Sequence, residues 1–174
     1  MKLLVATRSA HKLAEIRAIL APLAELELVS LDAVDVPPDP PDDVLEPFDT
    51  FEANARSKAL WYAQHSGLPS VADDSGIEVD ALDGAPGVRS KRFAPTADQG
   101  AARDRANNLH LLQLLNGVPE EQRSARYVCA VAFVDPDATA DATARSQFTV
   151  RGTVEGRILE APQGSGGFGY DPLF

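Results

Sequence analysis

Residues 2–20 read "KLLVATRSAHKLAEIRAIL", and the change of period inside them decides the fold class. Lys2 to Ala6 is a short, almost continuous apolar run, the pattern of a buried strand. From Ser9 onward the apolar residues Leu13, Ile16 and Leu20 return at helical spacing. Strand, short turn and helix make the first half of an α/β unit.

The rest of the chain extends that unit. "LELVSLD" (26–32) reads as a second strand. Residues 32–50 hold five prolines and seven acidic residues without periodicity, and read as a loop or lid. A helix is expected from Phe51 to His65, with Asp49 and Glu52 as a capping pair and Gly67 as its stop. "VADDSGIEVDAL" (71–82) supplies strands on either side of "DDSG", whose residue types favour a turn. "GAPGVRSKRFAP" (84–95) is a loop by its Gly and Pro content. Thr96 and Gln99 form a capping box for a long helix reaching Gly117. The last third reads as β: "ARYVCAVAFVD", "SQFTVRGTVEGRIL" and the terminal "GSGGFGYDPLF". The order predicts an α/β fold with a mixed sheet and helices on its faces.

With 174 residues, 44% hydrophobic and 24% charged, the chain can bury a core as one domain. A net charge of −10 argues against polymeric nucleic acid, which wants a basic face. A small anionic substrate needs local cations or a metal. Cys129, inside "YVCAVAFV", is expected to be a buried structural thiol. The first apolar run is too short for a signal peptide and nothing approaches a membrane span, so a cytoplasmic protein is the default expectation.

Four stretches can carry chemistry. Thr7, Arg8, Ser9, Ala10, His11 and Lys12 lie at a helix start, where unpaired N–H groups, hydroxyls and cations suit phosphate; Ser9 serves equally as a plain helix cap. Asn54 and Lys58 share a helix face with Glu52 just before them, a set that suits metal and phosphate or an ordinary wet face. Asp73 and Asp74 alternate sides if extended, so one of them faces a given site, where a carboxylate suits Mg²⁺ or general-base work. Finally, Ser90, Lys91 and Arg92 concentrate cation, and Phe168 to Asp171 offers aromatics between glycines, able to stack a base or simply to turn.

In order, "LLVATRSAHKLAEI", "FEANARSKA", "ADDSGIEVDALDGAPGVRSKRFA" and "GGFGYDPLF" resemble the inosine/xanthosine triphosphate pyrophosphatase family over nearly the whole chain. The resemblance implies one domain over 1–174 with an elongated curved sheet and two lobes flanking a cleft. It implies hydrolysis of ITP, dITP or XTP to monophosphate and pyrophosphate with Mg²⁺, in a homodimer. By position, Thr7 to Lys12 would hold the triphosphate, and Asp74 would be general base and metal ligand, with Asp73 and Glu52 as further ligands. Asn54, Lys58, Ser75, Ser90 and Arg92 would contact substrate, and Phe168, Gly169, Tyr170 and Asp171 would line the base pocket. A nucleotide-binding protein of the same fold with no turnover or another specificity is the alternative.

The chain departs from the family pattern at three places. Ser9 and Ala53 stand where relatives carry Asn and a metal-binding Glu; Glu52 and Glu46 are the acidic residues nearby. A further helix with a Ser-His-Arg segment is expected beyond Phe174. Selectivity for inosine and xanthosine over adenine would rest on the 6-oxo acceptor and N1–H, because fixed polar partners reject a base that leaves them unpaired.

Overall fold

The computed structural model describes residues 1–38, 40–137, 147–164 and 166–174. Its elements are β1 (Lys2–Val5), α1 (Ala10–Leu20), β2 (Glu27–Ser30), α2 (Asp42–Leu45), α3 (Phe51–Ser66), β3 (Ser70–Val79), α4 (Gly100–Leu114), β4 (Ser124–Val134) and β5 (Gln147–Arg157). The five strands form one open, mixed sheet in the order β2-β1-β3-β4-β5. β1 pairs in parallel with β2, Leu3 opposite Leu28, and with β3, Leu4 opposite Ser70. β4 and β5 run antiparallel: Phe133 stacks on Phe148 near one end, and Arg126 pairs with Glu155 in the same register near the other.

The chain divides into two compact units, Met1–Asp74 with Ala130–Arg151, and Ser75–Cys129 with Gly152–Phe174. In the first, Leu4, Val5, Phe51, Ala55, Ala59 and Tyr62 are buried. In the second, Ile77, Val79, Leu111, Leu115, Ile158, Tyr170 and Leu173 form the core. Arg123, also buried there, donates to the carbonyls of Leu115, Val118 and Leu159, which caps the end of α4.

Several local expectations change. "DDSG" is no turn: β3 runs unbroken for ten residues, paired with β1 at Ser70 and Val71 and neighboured by β4, and sheet context overrides the turn preference of Asp, Ser and Gly. Thr50, not Asp49, caps α3, its Oγ1 accepting from Ala53 N at 3.3 Å; Gly67 ends the helix with φ +65°. Thr96 does not cap α4; its hydroxyl bonds Asp98, and Gln99 at the cap position makes no side-chain bond. The Pro-rich stretch carries the short helix α2.

Cys129 is exposed, because strand alternation turns it away from buried Val128 and Ala130. The terminal Gly-rich segment is not a strand. Left-handed Gly167 and Gly169 (φ +79° and +60°) turn it into a short 3₁₀ helix, Asp171–Leu173. Along α1, Leu13, Ile16 and Leu20 are only half-buried.

Candidate active site

In the first unit, the loop after β1 is organised by its hydroxyls. Ser9 N donates to Thr7 Oγ1 at 3.2 Å, and Ser9 Oγ caps α1 by accepting from Lys12 N at 3.3 Å. The cap aims Lys12 at β3, where Nζ donates to Asp73 Oδ2 at 2.5 Å. Arg8 lies 4.0 Å from Asp32 with both side chains largely exposed, and His11 is exposed.

One turn into α3, Asn54 is almost fully buried. Its Nδ2 donates to Asp74 Oδ2 at 3.1 Å and to Phe48 O at 3.0 Å, while its Oδ1 accepts from Phe48 N at 2.8 Å. It therefore orients groups of the protein. Lys58, on the same helix face, makes an ion pair with Glu46, and both side chains are mostly buried. Lys12–Asp73, Asn54–Asp74 and Lys58–Glu46 thus make three pairs, related through the influence of Lys58, Glu46 and Lys12 on Asp74.

Glu52 stands apart from those pairs. Its carboxylate pairs with Arg151 of β5 at 3.1 Å, and backbone hydrogen bonding at the helix start holds it below the usual carboxylate range. Asp74 goes the other way. Burial pushes its pKa up to about 6; Lys58 opposes that rise, Glu46 adds to it, and Asn54 and Lys12 oppose it. Among Asp73, Asp74, Glu46, Lys12 and Lys58, three carboxylates face two ammonium groups, which leaves one excess negative charge. A divalent cation would reverse that sign, and Mg²⁺ is commonly held by one or two carboxylates plus phosphates and water, so the donor set fits it. Among the described residues there is no ready-made cluster of three or more His, Cys, Asp and Glu side chains.

In the second unit, Ser75 is half-buried on β3 next to Gly76. Ser90 is buried and its hydroxyl is used internally, donating to Gly87 O at 2.6 Å and accepting from Ile77 N at 2.9 Å. Lys91 and Arg92 are exposed on the 3₁₀ turn Gly87–Arg92. Tyr170 is buried, with its OH donating to Ser90 O at 2.8 Å, and burial raises its pKa well beyond the usual phenol range. Asp171 folds the loop on itself: Oδ2 accepts from Phe168 N at 2.8 Å and Oδ1 from Tyr127 OH at 2.9 Å. A Cβ at Gly167 would overlap that carboxylate, so the glycine permits the fold. The Phe168 side chain is 40% exposed.

Sequence reasoning passed over Asp104, Asn107 and Asn108 of α4. Gly169 N donates to Asp104 Oδ2 at 3.2 Å, and Asn108 Nδ2 donates to Gly169 O at 3.0 Å. Asn107 holds Ala94 N and the carbonyls of Ser90 and Lys91. The available signal was two adjacent asparagines, poor helix formers, well inside a helix.

An open mixed-sheet α/β protein with a carboxylate and lysine network beside a helix start belongs, in class, with proteins that handle phosphate esters and anhydrides. More particularly, the chain belongs to the Ham1 family, whose sequence profile matches residues 3–174. A relative in an Exiguobacterium species described as a dITP/XTP pyrophosphatase is 48% identical over all of this chain and 80% of its own length. One of the same description in Geobacter sulfurreducens is 46% identical over 99% of this chain and 79% of its own. Among solved structures, the Mycobacterium abscessus nucleoside-triphosphatase / dITP/XTP pyrophosphatase superposes with TM-score 0.76 at 40% identity, over 100% of this chain and 82% of that one. A HAM1 protein from Coxiella burnetii gives 0.81 at 32% identity, over 100% and 81%.

Proposed function

We propose that this chain is a nucleoside triphosphate pyrophosphatase that hydrolyses dITP, ITP and XTP to the monophosphate and pyrophosphate. The observation that carries the reading is Asp74: a carboxylate hydrogen-bonded to Asn54, with pKa near 6, among Glu46, Asp73, Lys12 and Lys58. Relatives of 43–49% identity described as dITP/XTP pyrophosphatases give the substrate class. A base with that pKa is mostly ionised at neutral pH yet basic enough to accept a proton from an attacking water.

The start of α1, with Thr7, Ser9 and the Ala10, His11 and Lys12 backbone, offers N–H groups and a positive dipole end to the phosphates. Lys12 and Lys58 already sit against carboxylates, so their charge is available only by sharing. Mg²⁺, when bound, would supply the missing positive charge and a more acidic water. Asp74 and Glu46 are the residues best suited to hold it. Asp73 is engaged by Lys12, Glu52 by Arg151 and Glu46 itself by Lys58, but of these three carboxylates only Glu46 acts on the charge of Asp74. Attack at the α-phosphorus rests on the family resemblance.

The Phe168 ring offers a stacking surface for the base, with Asp171 shaping the loop that carries it. Ser90 and Tyr170 support that loop from the core, and Arg92 and Ser75 remain candidates for direct contact with substrate. Removal of these triphosphates from the nucleotide pool fits a cytoplasmic enzyme, and a homodimer is the expected assembly.

Incubation with ITP and with GTP, with and without Mg²⁺, tests the reading through its products. Mg²⁺-dependent pyrophosphate from ITP, with GTP largely spared, is expected, and Asp74→Asn should abolish it in a folded protein. Orthophosphate as product would mean attack at the γ position and another mechanism. Tight ITP binding without turnover would make the chain a binding protein.

A further inference from the structure

Within the Gly-rich loop that would present Phe168, the backbone of Gly169 is held by one helix, while Tyr127 and Ser90 hold the side chains of Asp171 and Tyr170. Asp104 and Asn108 lie one turn apart on α4, on one face. Between them they take both backbone polar groups of Gly169, the N–H by Asp104 Oδ2 and the C=O by Asn108 Nδ2. Gly169 has φ +60°, one of several backbone conformations open without strain to glycine, so the two bonds select one state of a permissive residue. Asn108 is 9% exposed, so its hydrogen bond is made largely away from water, and its Oδ1 has no hydrogen-bond partner among the described residues. Leaving that oxygen unpaired in a buried position costs stability, which the bond to Gly169 O offsets in part.

The neighbouring peptides are already engaged locally. Phe168 N is taken by Asp171 Oδ2, Phe168 O by Asp171 N at 3.2 Å, and Tyr170 O by Leu173 N at 2.8 Å. Pro172 O and Leu173 O are fastened further along, to Gln163 N and Leu159 N, so Gly169 is the backbone anchor that lies directly beside the half-exposed Phe168 ring.

We propose that Asp104 and Asn108 are positioning residues for base recognition: by clamping both polar groups of Gly169 they set the plane in which the Phe168 ring meets a purine. This rests on the reading that the Phe168 to Asp171 loop receives the base. Neither side chain is assigned a contact with substrate. Their effect is on the cost of ordering the loop, which binding would otherwise bear. Loosening the clamp should weaken base binding and blur the distinction between 6-oxo and 6-amino purines, while turnover of bound substrate is spared.

The test uses the full chain and four proteins: the parent, Asp104→Ala, Asn108→Ala and Asp104→Asn, the last keeping an oxygen acceptor for Gly169 N–H. Amide hydrogen exchange at Gly169 reports the clamp without reference to catalysis. Steady-state kinetics with ITP and ATP report recognition. Expected for both alanine variants are exchange at Gly169 at least tenfold faster, KM for ITP raised about tenfold, and kcat within about threefold of the parent, a loss of roughly one hydrogen bond's worth. The ITP over ATP preference should fall by a similar factor, and Asp104→Asn should restore most of it. Asp104 is half-exposed, so its variants keep the test open if Asn108→Ala fails to fold.

Faster exchange with unchanged KM and unchanged preference would overturn the proposal, leaving only a structural tether. A fall in kcat at constant KM would overturn it too. If the parent hydrolyses none of ITP, dITP and XTP, the functional reading itself fails, which is visible before any variant is compared, and the recognition role falls with it.

Discussion

Asn54 binds Asp74 and Phe48 with the same amide group, at 3.1 and 3.0 Å. Its Oδ1 returns a third bond to Phe48 N at 2.8 Å. One buried side chain on α3 thus fixes both the candidate base on β3 and the segment that carries Glu46. Neither partner is near Asn54 in sequence by any helical or strand period.

Replacing Asn54 by Ala strands the N–H and C=O of Phe48 together with one oxygen of Asp74. The expected loss is roughly 2–4 kcal/mol of stability, from unsatisfied polar groups added to lost bonds. Urea unfolding monitored at Trp61 measures it. A loss below about 0.5 kcal/mol, the size of an ordinary surface change, would mean that water replaces the amide freely.

Asp74 gives a signed pH dependence. Its pKa is raised from 3.8 when unfolded to about 6 when folded, so the folded state binds the extra proton. The stabilisation this gives is fully present below about pH 4 and is lost as pH rises through 6. Asp74→Asn removes the effect. In the presence of a chelator it should match the parent near pH 4 and exceed it at pH 7.5, by at most roughly 3 kcal/mol. Melting temperatures across that range measure the difference, and a gap that does not change with pH would rule out the raised pKa.

The choice between Glu46 and Glu52 can be read from metal dependence. Glu46 sits with Lys58 and influences Asp74, whereas Glu52 is tied to Arg151. Glu46→Gln should raise the Mg²⁺ concentration for half-maximal activity by about tenfold or more, the scale of a lost ligand-sphere residue. Glu52→Gln should shift it less than about twofold, as befits a half-exposed ion pair. The reverse order would return Glu52 to the metal site.

Gly76 lies against Ser90. An added Cβ would overlap Ser90 Oγ and the carbonyl of Gly87. Gly76→Ala should therefore cost roughly 1–3 kcal/mol through overpacking, and Ser90→Ala in the same chain should recover only part, because backbone also stands in the way. Chemical denaturation of the two variants checks both statements. A neutral Gly76→Ala would show that the turn Gly87–Arg92 can move aside.

The sequence by itself determined the class of fold and put forward candidates for the site. Residues 2–20 carry two hydrophobic periods in succession, and such periods are local: each reports which face of its own element must leave water. The order of motifs pointed to the family in the same way, through Thr7 to Lys12, Asp73–Asp74 and Phe168 to Asp171. What it misread were features in which another hydrogen-bond partner, near or far along the chain, wins over the preference of the residue type. "DDSG" has turn composition and is strand, inside a β3 that runs on to Val79 beyond its pairing with β1 and lies against β4. Thr96 lost its cap role to a bond with Asp98, and Cys129 faces outward because register, set by pairing with neighbouring strands, decides which side of β4 is core. The same applies to function. Only the tertiary structure decided that Glu46 joins Lys58 beside Asp74, that Glu52 turns to Arg151, and that Asp104 and Asn108 reach Gly169 across 65 and 61 residues of chain. Hydrogen bonds and ion pairs act over a few ångströms and take no account of sequence separation, so the partners of a polar side chain emerge only when the core has brought them together.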